Sequence, residues 1–310
     1  IYGMTKIIAT GNITGDIPDE DQILIDLKFI EKNFGGSIPF EVTVDYRQKS
    51  RLFSQNTLEK VEEIQETFAK DTLFSKSLSY VDFLKSINMS YHGNNPEFYQ
   101  LISNREKLKL KKYFDKFDVS SLNGGSLTLK NLIDTNNTTL RIRMQMRELG
   151  SYKVADKVDL LRAKVDSILN PDKKDFERLY TKYTNGNKSA ADSLVYNYSS
   201  IYNNVTALIS KGNDKLQMSF DLDPENLRPY LTKPMFKKVL RNAIDQEYYK
   251  STFTGTAVVV SEGTKYLFVN LLQSLVFAII SIAILMAFLF RSIKIIVVSM
   301  IPNIIPLLVT

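Results

Sequence analysis

The sequence predicts an α+β protein: a ferredoxin-like (split βαβ) outer domain with a helical insertion, followed by transmembrane α-helices. Three observations carry this. Tyr266 to Phe290 holds no charged residue and no proline, and its run of about 25 residues exceeds the roughly 20 apolar residues that a bilayer-spanning helix needs. Residues 38–70 and 139–169 repeat one order: alternating strand, loop, amphipathic helix. A β-branched stretch, TFTGTAVVV at Thr252–Val260, then leads almost directly into the apolar run, as the fourth strand of the same sheet would. Two strand–helix–strand halves sharing one antiparallel sheet make the split βαβ arrangement.

The elements follow in order. Asp19, Glu20 and Asp21 stand where a helix N-terminus favours negative charge. Ile23, Leu27, Ile30 and Phe34 then recur at helical spacing as one apolar stripe. Gly35-Gly36 stops that helix, because glycine takes the left-handed cap geometry without strain. From Ile38 to Arg47 apolar Ile38, Phe40, Val42, Val44 and Tyr46 alternate with polar or wet-face residues, which defines a strand with one packed face. Ser54 is placed to cap a helix to about Lys70, with Leu58, Val61, Ile64 and Phe68 on one side. A short strand is expected near Leu73–Leu78, an amphipathic helix near Tyr80–Met89, a loop at Tyr91–Pro96 and a helix over 97–117. Leu140, Ile142, Met144 and Met146 alternate with Arg141, Arg143, Gln145 and Arg147 as a second strong strand, and a helix over 152–169 follows.

Pro171 breaks the pattern. Residues 170–250 are polar and tyrosine-rich and read as a mainly helical insertion, with helices near 173–183, 189–211 and 233–249 and a short strand at Leu216–Phe220. The expected division is therefore 1–169 for the first part of the outer domain, 170–250 for the insertion and 251–265 for the last strand and link. Residues 266–290 form a transmembrane helix, 291–294 a turn, and 295–310 the start of a second transmembrane helix. The turn carries Arg291 and Lys294. Basic residues in short loops stay cytoplasmic, so 5–265 are expected across the membrane, in the periplasm. Ile1 is not a natural start, and an earlier transmembrane helix ending near it would place the outer domain there.

Composition narrows the chemistry. The net charge of +6 is mild for 310 residues, and the basic residues are interspersed with acidic ones, so nucleic acid is not implied. The absence of cysteine excludes thiolate metal sites and disulfides. His92, the one histidine, sits in a polar loop without a second metal ligand and reads as a surface residue. Arg141, Arg143 and Arg147 form a basic stripe that suits anionic head groups or a neighbouring domain, with a solvated face and cross-strand pairing as the default, and Glu41 and Asp45 on the wet face of their own strand read as pairing charges. Gly35-Gly36 has neither P-loop nor dinucleotide-loop spacing. No catalytic constellation, metal site or cofactor site emerges, and the expectation is a protein that is not an enzyme. Pro302 and Pro306 break backbone bonding in the second apolar run, either as a functional hinge or as a static kink.

The ordered set FGGS (Phe34–Ser37), PFEVTVD (Pro39–Asp45), TGT (Thr254–Thr256), FRS (Phe290–Ser292) and IPNIIPLL (Ile301–Leu308) resembles the resistance–nodulation–division (RND) superfamily, in its MMPL and Patched-like branch. The resemblance covers 19–170 and 252–310 but not the insertion. It implies a second porter loop followed by the eighth and ninth transmembrane helices of an inner-membrane exporter. It also implies a hydrophobic or lipid-like substrate, contact with the bilayer and with the other porter repeat, and scope for a homo-oligomer. Motif and hinge positions become Gly35, Gly36, Gly255, Gly263, Pro302, Asn303 and Pro306. The proton-relay carboxylates of such proteins fall outside residues 1–310. Two alternatives stay open: a membrane-anchored sensor or assembly factor, and a protein-translocation accessory of the Sec type.

Overall fold

The structure, a computed structural model, describes residues 14, 17–48, 51, 53–102, 106, 131–210, 227, 234–290, 298 and 301–302. Helix α1 (Gln22–Phe34) starts at Asp21, whose carboxylate accepts from the Ile23 amide, and ends at Gly35 in left-handed geometry, φ 82°. Strand β1 (Ile38–Asp45) follows, then α2 (Gln55–Ala69), capped by the Ser54 hydroxyl, and α3 (Tyr80–Tyr91), which opens with a reciprocal Ser79–Asp82 capping box. Strand β2 (Thr139–Met146) and α4 (Ser151–Leu169) repeat the strand–helix order.

The three described strands form an antiparallel sheet in the order β2-β1-β3, where β3 is Lys250–Thr254. Val42 stands opposite both Ile142 and Phe253. Alternation decides the two faces. Phe40, Val42, Val44, Leu140 and Ile142 are fully buried beneath α2 and α4, whose Leu58, Val61, Ile64, Phe68, Val154, Val158 and Leu161 close the core. On the other face Glu41 accepts from Arg143 Nε at 2.9 Å and lies 3.6 Å from Arg141. Part of the basic stripe is thus cross-strand pairing.

Outside β2 the expected strand at 73–78 is reduced to isolated bridges from Phe74 to Met146 and from Leu78 to Arg143. Between them the Ser75 hydroxyl accepts the Gln145 amide at 2.8 Å, so a side chain takes a donor that a ladder would give to a carbonyl. A 3-10 turn occupies Pro96–Phe98. Residues 99–102 are not helical, so the helix expected over 97–117 does not begin where the sequence places it; its remainder other than 106, and the strand expected at Leu216–Phe220, lie outside the described residues.

The insertion builds a core of its own from α5 (Lys173–Thr184), α6 (Lys188–Tyr196), α7 (Ser199–Ser210) and α8 (Pro234–Glu247). The helix expected over 189–211 is two helices: Asn197 caps the first, and Tyr198 turns its ring edge-on to Phe176 at 4.8 Å. The insertion leaves and rejoins the sheet domain at one place. The Asn170 side chain accepts from the Tyr249 amide at 2.8 Å and donates to the Tyr249 carbonyl at 3.0 Å. The Tyr249 ring meets the buried Tyr46 ring edge-on at 5.0 Å, and Arg51 pairs with Glu247 at 3.0 Å.

The last segment corrects the sequence reading. Thr252–Val260 is not one strand. β3 stops at Thr254, Gly255 takes φ 99°, and α9 (Thr256–Phe290) runs as one helix from there. Burial explains the change: Ala257, Val258 and Ser261 are buried while Val259 is 64 % exposed, a helical and not a two-residue repeat. Packing of that face on α4 and the sheet outweighs the β preference of three consecutive valines. The apolar part of α9 is exposed on all sides, and it is long and apolar enough to cross a membrane.

Candidate functional site

The distinctive geometry lies where the sheet becomes α9. Three of the glycines singled out by sequence gather at one end of the sheet. Gly35 caps α1, and a Cβ there would lie 3.1 Å from the Ser75 backbone. A Cβ on Gly36 would come within 2.7 Å of the Met146 backbone. Gly255 combines φ 99° with the closest approach: a Cβ would meet the Pro39 carbonyl oxygen at 2.5 Å. At all three the absent side chain lets two backbones touch, and at Gly35 and Gly255 the left-handed conformation adds a second reason for glycine. Gly263 is different. It sits inside α9 with nothing within 4 Å of its would-be Cβ. Pro302 is helical and exposed, and Asn303 and Pro306 lie outside the described residues.

Side chains that sequence reasoning missed secure the same junction. Ser261 donates its hydroxyl to the Ser151 carbonyl at the start of α4, and the Thr264 hydroxyl lies 3.4 Å from that of Ser151. Glu262 reaches Arg162 at 3.5 Å. Nearby, Glu31 accepts from the Ser37 hydroxyl and from the Glu148 amide, each at 2.8 Å, while Glu148 accepts from Thr14 through both amide and hydroxyl. Ser151 and Ser261 are 110 positions apart, and neither carries a local pattern that distinguishes it from a solvent-facing serine. A cavity of about 270 Å³ opens among Leu24, Leu27, Lys28, Pro39 and Thr256.

The remaining candidates resolve into structural roles. His92 caps α3, with Nδ1 3.0 Å from the Asn88 carbonyl and its ring stacked on Phe98 at 3.8 Å. In the insertion, Arg241 and the Tyr248 hydroxyl both donate to Glu177. Partial burial works to raise the Glu177 pKa, but these two donors hold it below the ordinary carboxylate value. Burial raises the Tyr80 hydroxyl to about 12. Among the described residues no three metal-ligating side chains cluster. The junction therefore offers a mechanical connection between a sheet and a long apolar helix.

Comparison of the chain with protein-family models, with curated proteins and with solved structures finds no match.

Proposed function

We propose that this chain is the second porter segment of a proton-driven inner-membrane exporter of the RND superfamily, MMPL-like branch, which moves hydrophobic or lipid-like molecules through its outer domain. The observation that carries the reading is the unbroken helix from Thr256 to Phe290. The sheet is joined to a bilayer-length apolar segment with no loose linker, which suits a device that passes movement from membrane to outer domain. Strand order supports the finer fold assignment. With the 74–78 bridges outside β2, the sequence β3-β1-β2-edge is the one a split βαβ domain requires. In this reading the protein makes and breaks no bond. It is multi-pass, with 5–265 periplasmic and Arg291–Lys294 cytoplasmic.

Transport is tested by reconstituting the parent protein in liposomes, imposing a pH gradient and following a fluorescent lipid analogue between leaflets. Gradient-dependent transfer, abolished by a protonophore, is the expected result. No transfer by a correctly inserted protein would sink the exporter reading and leave the anchored sensor. The link itself is tested by placing a flexible Gly-Ser segment after Gly263. Normal insertion with lost transfer is expected, and undiminished transfer would refute the mechanical role.

Topology has its own measurement. Single cysteines at Asn185, which is exposed on the insertion, and at Ser292 are probed with an impermeant thiol reagent on intact spheroplasts. Labelling at 185 and protection at 292 are expected from the basic turn. The reverse pattern overturns the orientation.

A further inference from the structure

Helix α4 starts beside the membrane end of the junction. The Ser151 carbonyl accepts the Ser261 hydroxyl, and the Ser151 hydroxyl lies 3.4 Å from that of Thr264. Ser261 and Thr264 stand five and two residues before Tyr266, where the uncharged stretch begins. Those intervals are about 8 and 3 Å of helix. A headgroup layer is roughly 5–8 Å deep on each side of the hydrocarbon. The first turn of α4 therefore stands in that layer when α9 spans the bilayer. From there α4 runs away from the membrane. Val154 shares a crevice with Ala257 and Val260, and the Arg162 guanidinium lies over the Phe253 ring at 5.9 Å.

The side chains at this level have the chemistry of a headgroup contact. Tyr152 and Tyr266 are 50 % and 69 % exposed, and Lys153 and Lys265 are exposed beside them. Neither lysine forms an ion pair with a described residue. The acids nearby are committed or farther off. Glu262 reaches Arg162 at 3.5 Å, both carboxylate oxygens of Glu148 accept from Thr14, and Asp156 stands a turn farther along α4. The unmatched charge at this level is thus positive. It lies next to two rings of the kind that settle at a membrane surface, apolar in body and polar at the tip.

We propose that the first turn of α4 and the adjoining turn of α9 form a lipid-binding edge of the outer domain. Lys153 and Lys265 bind the headgroups of anionic phospholipid, while Tyr152 and Tyr266 sit at the boundary between headgroup and acyl chain. The proposal rests on α9 as the membrane span and not on transport. Contacts on two separate elements hold the sheet domain at one height and tilt, which a single span would leave free.

The chain has no cysteine, so a small thiol-reactive fluorophore can be placed singly at Tyr152→Cys, at Ser167→Cys near the far end of α4, and at Phe277→Cys. Each protein is put in nanodiscs of phosphatidylcholine and phosphatidylglycerol. One lipid at a time carries a quenching nitroxide near the top of an acyl chain. Position 277 is expected to be quenched equally by both lipids and 167 by neither. At 152, labelled phosphatidylglycerol should quench at least about fivefold more than phosphatidylcholine at equal fraction, the value of one lysine at an anionic surface. That preference should vanish in Lys153→Gln/Lys265→Gln. An unquenched 152 beside a quenched 277 would overturn the lipid-binding edge and leave the span intact. Equal quenching of 152 by the two lipids, or a preference that survives the double substitution, would overturn the role of the lysines and the proposal with it. Quenching of 167 as strong as that of 152 would overturn the geometry, and an unquenched 277 would overturn both edge and span.

Discussion

Val42→Asp unfolds the sheet domain, whereas Thr43→Asp beside it leaves the domain standing. Val42 is fully buried between Ile142 and Phe253 on the central strand. A carboxylate there has no partner and either stays charged in an apolar core or takes up a proton at a cost of several pKa units. Roughly 4 kcal/mol or more is expected, a large part of the stability of most domains. Thr43 faces the other way, opposite Arg141 and Thr252, and an aspartate there gains a cation across the strand. Urea unfolding of the detergent-solubilised chain, followed by tyrosine near-ultraviolet circular dichroism, separates the two. Equal midpoints would mean that the faces of β1 are assigned the wrong way round.

Gly255→Ala is the second large effect, and Gly263→Ala should go the other way. An alanine at 255 must hold φ near 99°, which costs a residue with a Cβ about 1–2 kcal/mol. It must also push aside the Pro39 carbonyl, 2.5 Å from where the Cβ would lie. Overpacking against rigid backbone adds about 1–3 kcal/mol. At 263 the methyl enters open space on a helix, so alanine stabilises by about 1 kcal/mol. The same urea titration reads both. If Gly255→Ala unfolds at the wild-type midpoint, the close approach of α9 to β1 is absent in solution.

The legible parts of the chain are those in which local pattern and final environment agree. Strands β1 and β2 announce themselves because each alternates strictly over eight residues and each is wet on one face. Ser54 and Gly35 are legible because capping is decided within four residues of sequence. The junction was not, for a physical reason. Val258, Val259 and Val260 have β-branched side chains that favour extension, but what decides their conformation is the packing of Ala257, Val258 and Ser261 on an α4 that begins more than 100 positions earlier. Helix α1 fails in another manner. Its period correctly gives a helix and an apolar stripe, yet Ile23, Ile30 and Phe34 of that stripe are exposed, and periodicity carries no information on whether a stripe meets the core, a lipid or another protein. The glycines sit between these cases. Gly35-Gly36 pointed to a tight turn, whereas Gly255 was read inside a strand and marked only as a motif position, and which backbones the three bring together depends on strand register.

The paired hydrogen bonds between Asn170 and Tyr249 have a consequence for what the sheet domain tolerates at this point of the chain. A host domain admits a guest at little cost when the guest's two ends lie side by side, since closing a loop depends only on the logarithm of its length, about 0.6 kcal/mol per doubling. Here the entry and exit of some eighty residues are clasped by Asn170, with the Tyr46–Tyr249 and Arg51–Glu247 contacts beside it, and the guest carries its own apolar centre instead of borrowing from the host. The sheet consequently experiences the insertion as it would a short turn between α4 and β3. Residues 170–249 could accordingly be lengthened, exchanged or removed while the strand order beneath them stayed unchanged.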